Sequence, residues 1–387
     1  MRKELFLFAF TMIICFFILE ASIRVLGEYD LDGQFNFRGY QFKPYQLPYN
    51  SLLKIQNDYY SLEKPFYIPD KYLGYTLNND TTHPNGLYTT NSIGIRSNKE
   101  FDLEKYKKRI AFFGDSYIFA ADVPYNESWI YFLENSLGDE WEVMTFGVGG
   151  YGIDQAYLRW KLQGQNYDPD IIVIGFQAEN CRRNLYTIRK IYDRKSELPF
   201  FKPRFILDNG NLKLVNYPVP EFSELPNIVK NFESNELSKY EYFYKKEDYI
   251  IKNLLHYSKL LSLVFVFKDD YLGYEKKHRG YYKEESEEMK LCYELINKFV
   301  KEASEKSKVF LIHIPKQEDI ALKLENKTYF YENFLNTLKK DFVVIDFADE
   351  FINLAKNESI DKVYKGHYTK EGNKILSERV QGKIKNE

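Results

Sequence analysis

The chain has 387 residues, with 54 Lys and Arg against 56 Asp and Glu, and a formal net charge of −2. That length suits one large domain with an insertion, or two domains, and the balanced charge gives no electrostatic case for nucleic acid. Three cysteines without metal-ligand spacing and five scattered histidines exclude a disulfide framework and a cysteine or histidine metal centre.

Residues 5–19, LFLFAFTMIICFFIL, carry no charge and are apolar on every face, which argues against a one-sided core helix. With Lys3 and Arg24 reaching outward, the segment covers roughly 30 Å, enough for a bilayer. Arg2 and Lys3 precede it, and Glu20, Glu28, Asp30 and Asp32 follow. The positive-inside rule then leaves the amino terminus in the cytoplasm and everything past about residue 28 outside. The alternative, a cleaved signal peptide, lacks a small-x-small site after the apolar run. Residues 1–27 are therefore expected to be a transmembrane anchor. Cys15 lies inside it, so at most one disulfide, between Cys181 and Cys292, is open to the rest.

Residues 28–104 are rich in Tyr, Asn, Pro and Gly and show little periodicity. The pieces Leu73-Gly74-Tyr75 and Asn91-Ser92-Ile93-Gly94-Ile95-Arg96 look like turns and short extended stretches. The expectation is a membrane-proximal arm packed on a catalytic domain that fills 105–387.

That domain opens with Arg109–Ala120, RIAFFGDSYIFA. Four apolar residues run into Gly114-Asp115-Ser116, a pattern that predicts a buried strand, a tight turn and a helix. A helix over Glu127–Leu137 follows, then the strand Trp141–Phe146. Next come the glycine-rich turn Gly147–Gly152 and a helix over Ile153–Gln165. The fully apolar run Ile171–Ile174 predicts a buried parallel strand, leading to Gln177, Asn180 and Cys181. Three strand–turn–helix units in succession predict α/β with a parallel sheet. The region from about 195 to 300 breaks that rhythm as an insertion. It holds a hairpin over Arg204–Val219 and helical segments at 246–267 and 284–306, and the charged stretch 275–288 is expected to be a surface loop. The rhythm resumes with strands over Val309–Ile314 and Phe342–Phe347 and a closing amphipathic helix after Lys365–Gly372.

Serine ester chemistry needs a nucleophile, a base in hydrogen-bond reach and donors aimed at the developing oxyanion. Ser116, the glycine turn, Asn180 and His367 each follow a different predicted strand, where open α/β sheets place their ligands. The plainer readings are helix caps for Ser116 and Asn180, a surface His367, a small packing Cys181 and a core-edge His313. Gly147–Gly152 also fits G-x-G-x-x-G, but it follows the second strand, and a location outside the cytoplasm offers no nicotinamide cofactor.

With these blocks in this order, the sequence resembles the SGNH/GDSL hydrolase superfamily over roughly 105–190 and 305–387. Within it, the sequence resembles membrane-anchored bacterial members that act on cell-envelope glycans. The resemblance implies a flavodoxin-like three-layer α/β/α sandwich with a five-stranded parallel sheet. It implies Ser116 as nucleophile, His367 as base, and an oxyanion hole from the Ser116 and Gly150 N–H groups and the Asn180 amide. No cofactor is implied. The acid usual three residues before the histidine is replaced by Tyr364, so Asp361 serves or a Ser–His dyad does. The expected function is ester hydrolysis or acyl transfer on an acylated sugar or glycan through an acyl-serine. The alternative is a non-catalytic glycan-binding or assembly protein on a degenerate hydrolase fold.

Overall fold

Segments apolar on both faces are stable as strands only where helices cover both sides, and that requirement organises the computed structural model, which describes residues 2–250, 257–268 and 279–385. Along the chain run α1 (Arg2–Leu26), β1 (Lys108–Phe113), α2 (Trp129–Leu137), β2 (Trp141–Thr145), α3 (Ile153–Leu162) and β3 (Ile171–Phe176). They are followed by α4 (Ala178–Arg183), α5 (Lys259–Val266), α6 (Glu287–Ala303), β4 (Lys308–His313), α7 (Gln317–Leu324), β5 (Val344–Ile345), α8 (Ala348–Asn357) and α9 (Lys370–Lys385). The five strands form one parallel sheet in the order β2-β1-β3-β4-β5. This is the flavodoxin-like order, whose switch point lies between the carboxyl ends of β1 and β3. The expected fold class is the one observed.

Side chains alternate across the sheet with period two. Ile110 and Phe112 of β1 face a buried cluster with Trp129, Ile130 and Leu133 of α2, Ile320 of α7, Phe351 of α8, and Leu376 and Val380 of α9. Phe113, one residue on, faces the other way: it stacks on Phe146 at 4.9 Å and meets Phe299 of α6 edge-on at 5.8 Å. Trp160 of α3 meets the same Phe299 at 5.3 Å. Each such buried side chain contributes about 1.5–3 kcal/mol of transfer free energy. Two helical layers thus hold the sheet, and its carboxyl edge carries the loops after β1, β2 and β3.

The sheet and its helices belong to a compact unit of residues 62–187, 201–220 and 281–387. It contains the ribbon of Tyr67–Asp70 with Gly74–Leu77 and the hairpin of Arg204–Asp208 with Asn211–Val215. A disulfide joins Cys181 of α4 to Cys292 of α6. The expected packing role of Cys181 is corrected accordingly: the thiol is covalently paired.

A second unit comprises residues 1–61, 188–200 and 221–280. Its α1 has 25 residues, is apolar enough to cross a membrane, and is almost wholly exposed. Near its end, the Glu20 carboxylate accepts hydrogen bonds from the Ser258 hydroxyl and the Lys259 and Leu260 N–H groups, at 2.8, 3.0 and 2.8 Å. That satisfies the open amino end of α5. Ile23 packs with Phe35, Phe42 and the apolar face of α5.

Three local expectations change. No helix follows Ser116 directly. The chain makes a single turn, closed by Phe119 N–H to Asp115 O and Ala121 N–H to Ser116 O, and Ala120 and Asp122 then take positive φ of 60° and 68°, which ends it. The strand expected over 342–347 pairs only at Val344 and Ile345. In the expected helix over 246–267, α5 is the α-helical part among the described residues; 251–256 and part of the charged loop, 275–278, lie outside them.

Candidate active site

The site is built on the three loops at the switch point. Ser116 leaves β1 by the turn just described. Its neighbour Asp115 is buried and anchors that turn. Asp115 Oδ1 accepts from the Tyr117 N–H at 2.9 Å, and Oδ2 accepts from Asn180 Nδ2 at 2.9 Å, from Arg183 Nη1 at 3.1 Å and from the Gln177 amide. A buried carboxylate needs this density of partners, because an unpaired one would be strongly disfavoured. The aspartate of Gly-Asp-Ser therefore ties the serine turn to α4.

His367 sits in a two-residue strand, His367–Tyr368, antiparallel to Tyr364–Lys365. Its Nε2 lies 2.7 Å from Ser116 Oγ, and its Nδ1 lies 2.7 Å from Asp122 Oδ2. The Tyr117 ring packs on the imidazole at 4.7 Å. The hydrogen bond to His367 is the largest influence holding the Asp122 carboxyl below its usual range, outweighing partial burial. A serine, an imidazole and a carboxylate thus form one continuous chain, with the carboxylate on the serine's own loop.

Asp361 stands elsewhere: it is exposed and bonded locally to Ser359. Tyr364, three residues before the histidine, donates its hydroxyl to the Pro315 carbonyl at 2.9 Å. Neither the Asp361 assignment nor the bare Ser–His dyad describes this arrangement. Asp122 is not among the expected acids because the expected position lies upstream of the histidine. The available signal was a second acid six residues beyond Ser116.

Gly150 has φ of +83°, a left-handed turn conformation open to glycine. Its carbonyl accepts from the Tyr186 hydroxyl at 3.3 Å, and the adjacent Gly149 carbonyl accepts from the Tyr75 hydroxyl at 3.0 Å. Asn180 is brought to the same edge, but in a different role from the expected one. Its Nδ2 has two hydrogens, and they go to Asp115 and to the Tyr151 carbonyl at 3.2 Å. Asn180 therefore holds the serine turn to the glycine turn. Gln177 and Arg183, which converge on Asp115, were also passed over in the sequence.

His313 is buried and engaged on both nitrogens, with Asp346 at 3.0 Å and the Tyr331 hydroxyl at 3.1 Å. Its place at the end of β4 agrees with the core-edge reading. Among the described residues, no group of three metal-ligating side chains is present.

No family model matches the chain, and no curated protein does. Among solved structures, it is similar to an acetyl xylan esterase, with 14% identity, a TM-score of 0.37, and coverage of 71% of this chain and 99% of that one. It is similar to a lipase/acylhydrolase from Enterococcus faecalis, with 12% identity, a TM-score of 0.35, and coverage of 72% and 96%. It is also similar to a member of the lipolytic G-D-S-L family from Veillonella parvula, with 12% identity, a TM-score of 0.36, and coverage of 71% and 97%. The sheet order is that of a flavodoxin-like α/β fold, as expected.

Proposed function

We propose that the chain is a serine esterase of the SGNH type, acting through a Ser116–His367–Asp122 triad. The observation that carries this reading is the unbroken chain of two 2.7 Å contacts from Ser116 Oγ through His367 to Asp122. His367 Nε2 takes the proton of Ser116 as Oγ attacks an ester carbonyl carbon. The Asp122 carboxylate orients the ring and stabilises the imidazolium. The N–H groups of Ser116 and Gly150 are the donors assigned to the oxyanion, with Asn180 supporting both turns. The imidazolium then gives its proton to the leaving alcohol, and an acyl-serine remains. Water, or a sugar hydroxyl, attacks that ester with His367 again as base, which releases acid or acylated sugar and restores the serine.

The proposed substrate is an acylated cell-envelope or extracellular glycan, with α1 as a single membrane anchor and the catalytic unit outside the cytoplasm. The apolar α1 and the Cys181–Cys292 disulfide support that placement, since disulfides persist in oxidising compartments. The glycan-binding alternative leaned on a missing acid, and Asp122 weighs against it. The test is hydrolysis of p-nitrophenyl acetate by the full chain in detergent, with Ser116→Ala alongside. Loss of about a thousandfold or more in kcat is expected, together with loss of labelling by a fluorophosphonate. Equal turnover by both proteins rejects the serine mechanism. Adding an oligosaccharide and measuring how acetate partitions to its hydroxyls separates esterase from transferase.

A further inference from the structure

Asp122 reaches His367 from a backbone that does not favour the position. Ala120 and Asp122 both have positive φ, 60° and 68°, a region in which residues with a Cβ are strained. Something outside the loop must hold it there.

The holding groups come from residues 88–96. Arg96 is 1% exposed. Its Nη1 donates to the Phe119 carbonyl at 3.0 Å and to the Ala120 carbonyl, and its Nη2 donates to the Val123 carbonyl at 2.7 Å. These carbonyls bracket Asp122. The guanidinium lies against both the Tyr88 and Phe119 rings, 4.8 and 5.1 Å from their centroids, and the two rings meet edge-on at 5.0 Å. The Tyr88 hydroxyl accepts the Asp122 N–H at 2.7 Å and stands 3.4 Å from Asp122 Oδ1. The Arg96 segment is itself fixed: the Gly94 carbonyl accepts from Arg159 of α3 at 2.9 Å, and Asn91 Oδ1 accepts from the Ile93 and Ile95 N–H groups at 3.2 Å. On the other side, a Cβ at Gly366 would stand 2.7 Å from Asp122 Oδ2, so the glycine before His367 leaves the space the carboxylate occupies.

We infer that Tyr88 and Arg96 are positioning residues for the triad acid, so that the segment before β1 completes the active site. This rests on the proposed Ser116–His367–Asp122 reading. It explains why a charge is spent in the interior: burial pulls the Arg96 guanidinium down to about 10, and the carbonyl groups it serves are those of one loop. It also accounts for the Asn91–Arg96 motif, which the triad alone does not use.

The experiment compares Tyr88→Phe and Arg96→Lys with wild type and Asp122→Asn, in the full chain, by kcat, KM and pH–rate profile on p-nitrophenyl acetate. Each positioning variant should lower kcat about tenfold, as expected for one charge-linked hydrogen bond, with KM unchanged. The acid limb of the profile should move in the same sense as in Asp122→Asn, because the variants displace the carboxylate that Asp122→Asn removes. Placed in the Asp122→Asn background, neither change should lower kcat further. A merely structural role would lower both backgrounds alike and leave the limb in place; that result, or wild-type kinetics in both variants, overturns the inference. Ser116→Ala keeps the two claims apart. If it retains activity, the triad reading fails; if it is inactive while both positioning variants behave as wild type, only the inference fails.

Discussion

At the residue scale, one side chain decides what the serine can do. An imidazole is a good base only if it is held in one tautomer and one orientation, and here the hydrogen bond from Nδ1 to Asp122 does that at 2.7 Å. Asp122→Asn should lower kcat by about 10²–10⁴, while Asp361→Asn should leave it unchanged. Steady-state rates of the two variants check this, and a loss in Asp361→Asn with Asp122→Asn unaffected would return the role to Asp361. The same carboxylate predicts a stability effect. The Asp122 pKa is lowered in the folded state, chiefly by His367. Its contribution is therefore present above the ordinary aspartate pKa and lost as pH falls through the lowered value. The thermal midpoint should accordingly fall less steeply on acidification in Asp122→Asn than in wild type. Ser116 and His367 were legible in the sequence because strand periodicity put them at the same sheet edge. Asp122 was not, since its reach depends on two left-handed residues that no periodicity reports. The orientation of Asn180 was likewise hidden: its neighbours Asp115 and Tyr151 come from other strands' loops.

At the element scale, α3, α4 and α6 form the layer that carries the switch-point loops. The Cys181–Cys292 bond joins α4 to α6 across 111 residues. Closing so long a loop in the unfolded chain is worth about 4–5 kcal/mol in the chain-entropy description. Cys181→Ala with Cys292→Ala should lower the unfolding free energy extrapolated from urea melts by that order, and a reductant should do the same to wild type but nothing to the double variant. Activity should fall with it, because α4 carries Asn180 and Arg183 to Asp115. A second tie joins α3 to α6: Glu302 meets Lys161 at 2.7 Å and Lys298 at 2.6 Å, with the Tyr157 hydroxyl at 2.9 Å. Burial opposes ionisation of Glu302, but these partners prevail and hold it at about 2. Its stabilisation is present above the ordinary glutamate pKa and disappears as pH falls toward 2. Lys161→Met should cost no more than about 1 kcal/mol at neutral pH, since the pair is partly exposed, and the difference from wild type should vanish near pH 2 and shrink in high salt. Thermal melts across pH and salt measure both. The helices and the parallel sheet were readable from apolar periodicity and unbroken strand runs. The partial β5 was not: only Val344 and Ile345 register with Leu311 and Ile312 of β4, and the Val343 carbonyl, accepting from the Leu311 N–H at 3.0 Å, is where the pairing begins.

At the scale of the whole molecule, the issue is which side of a membrane the catalytic unit occupies. For the proposed anchor, flanking charge and the disulfide favour the outside, while α1 bears only on whether the chain can span. The two are independent in kind: one concerns insertion and the other the redox state of the folded unit. They can be tested together. Cys15 is the one free thiol, Cys181 and Cys292 being paired. A Cys15→Ser chain carrying Asp361→Cys therefore offers one reactive thiol, at a position that is exposed and takes no part in the triad's hydrogen bonds. In intact cells, a membrane-impermeant maleimide should label that thiol without permeabilisation, and the purified chain should keep its Cys181–Cys292 bond unless reduced. Labelling only after permeabilisation would put the unit in the cytoplasm. An extracellular glycan would then be out of reach, while the Ser116 chemistry, assayed on a small ester, would be untouched by that result.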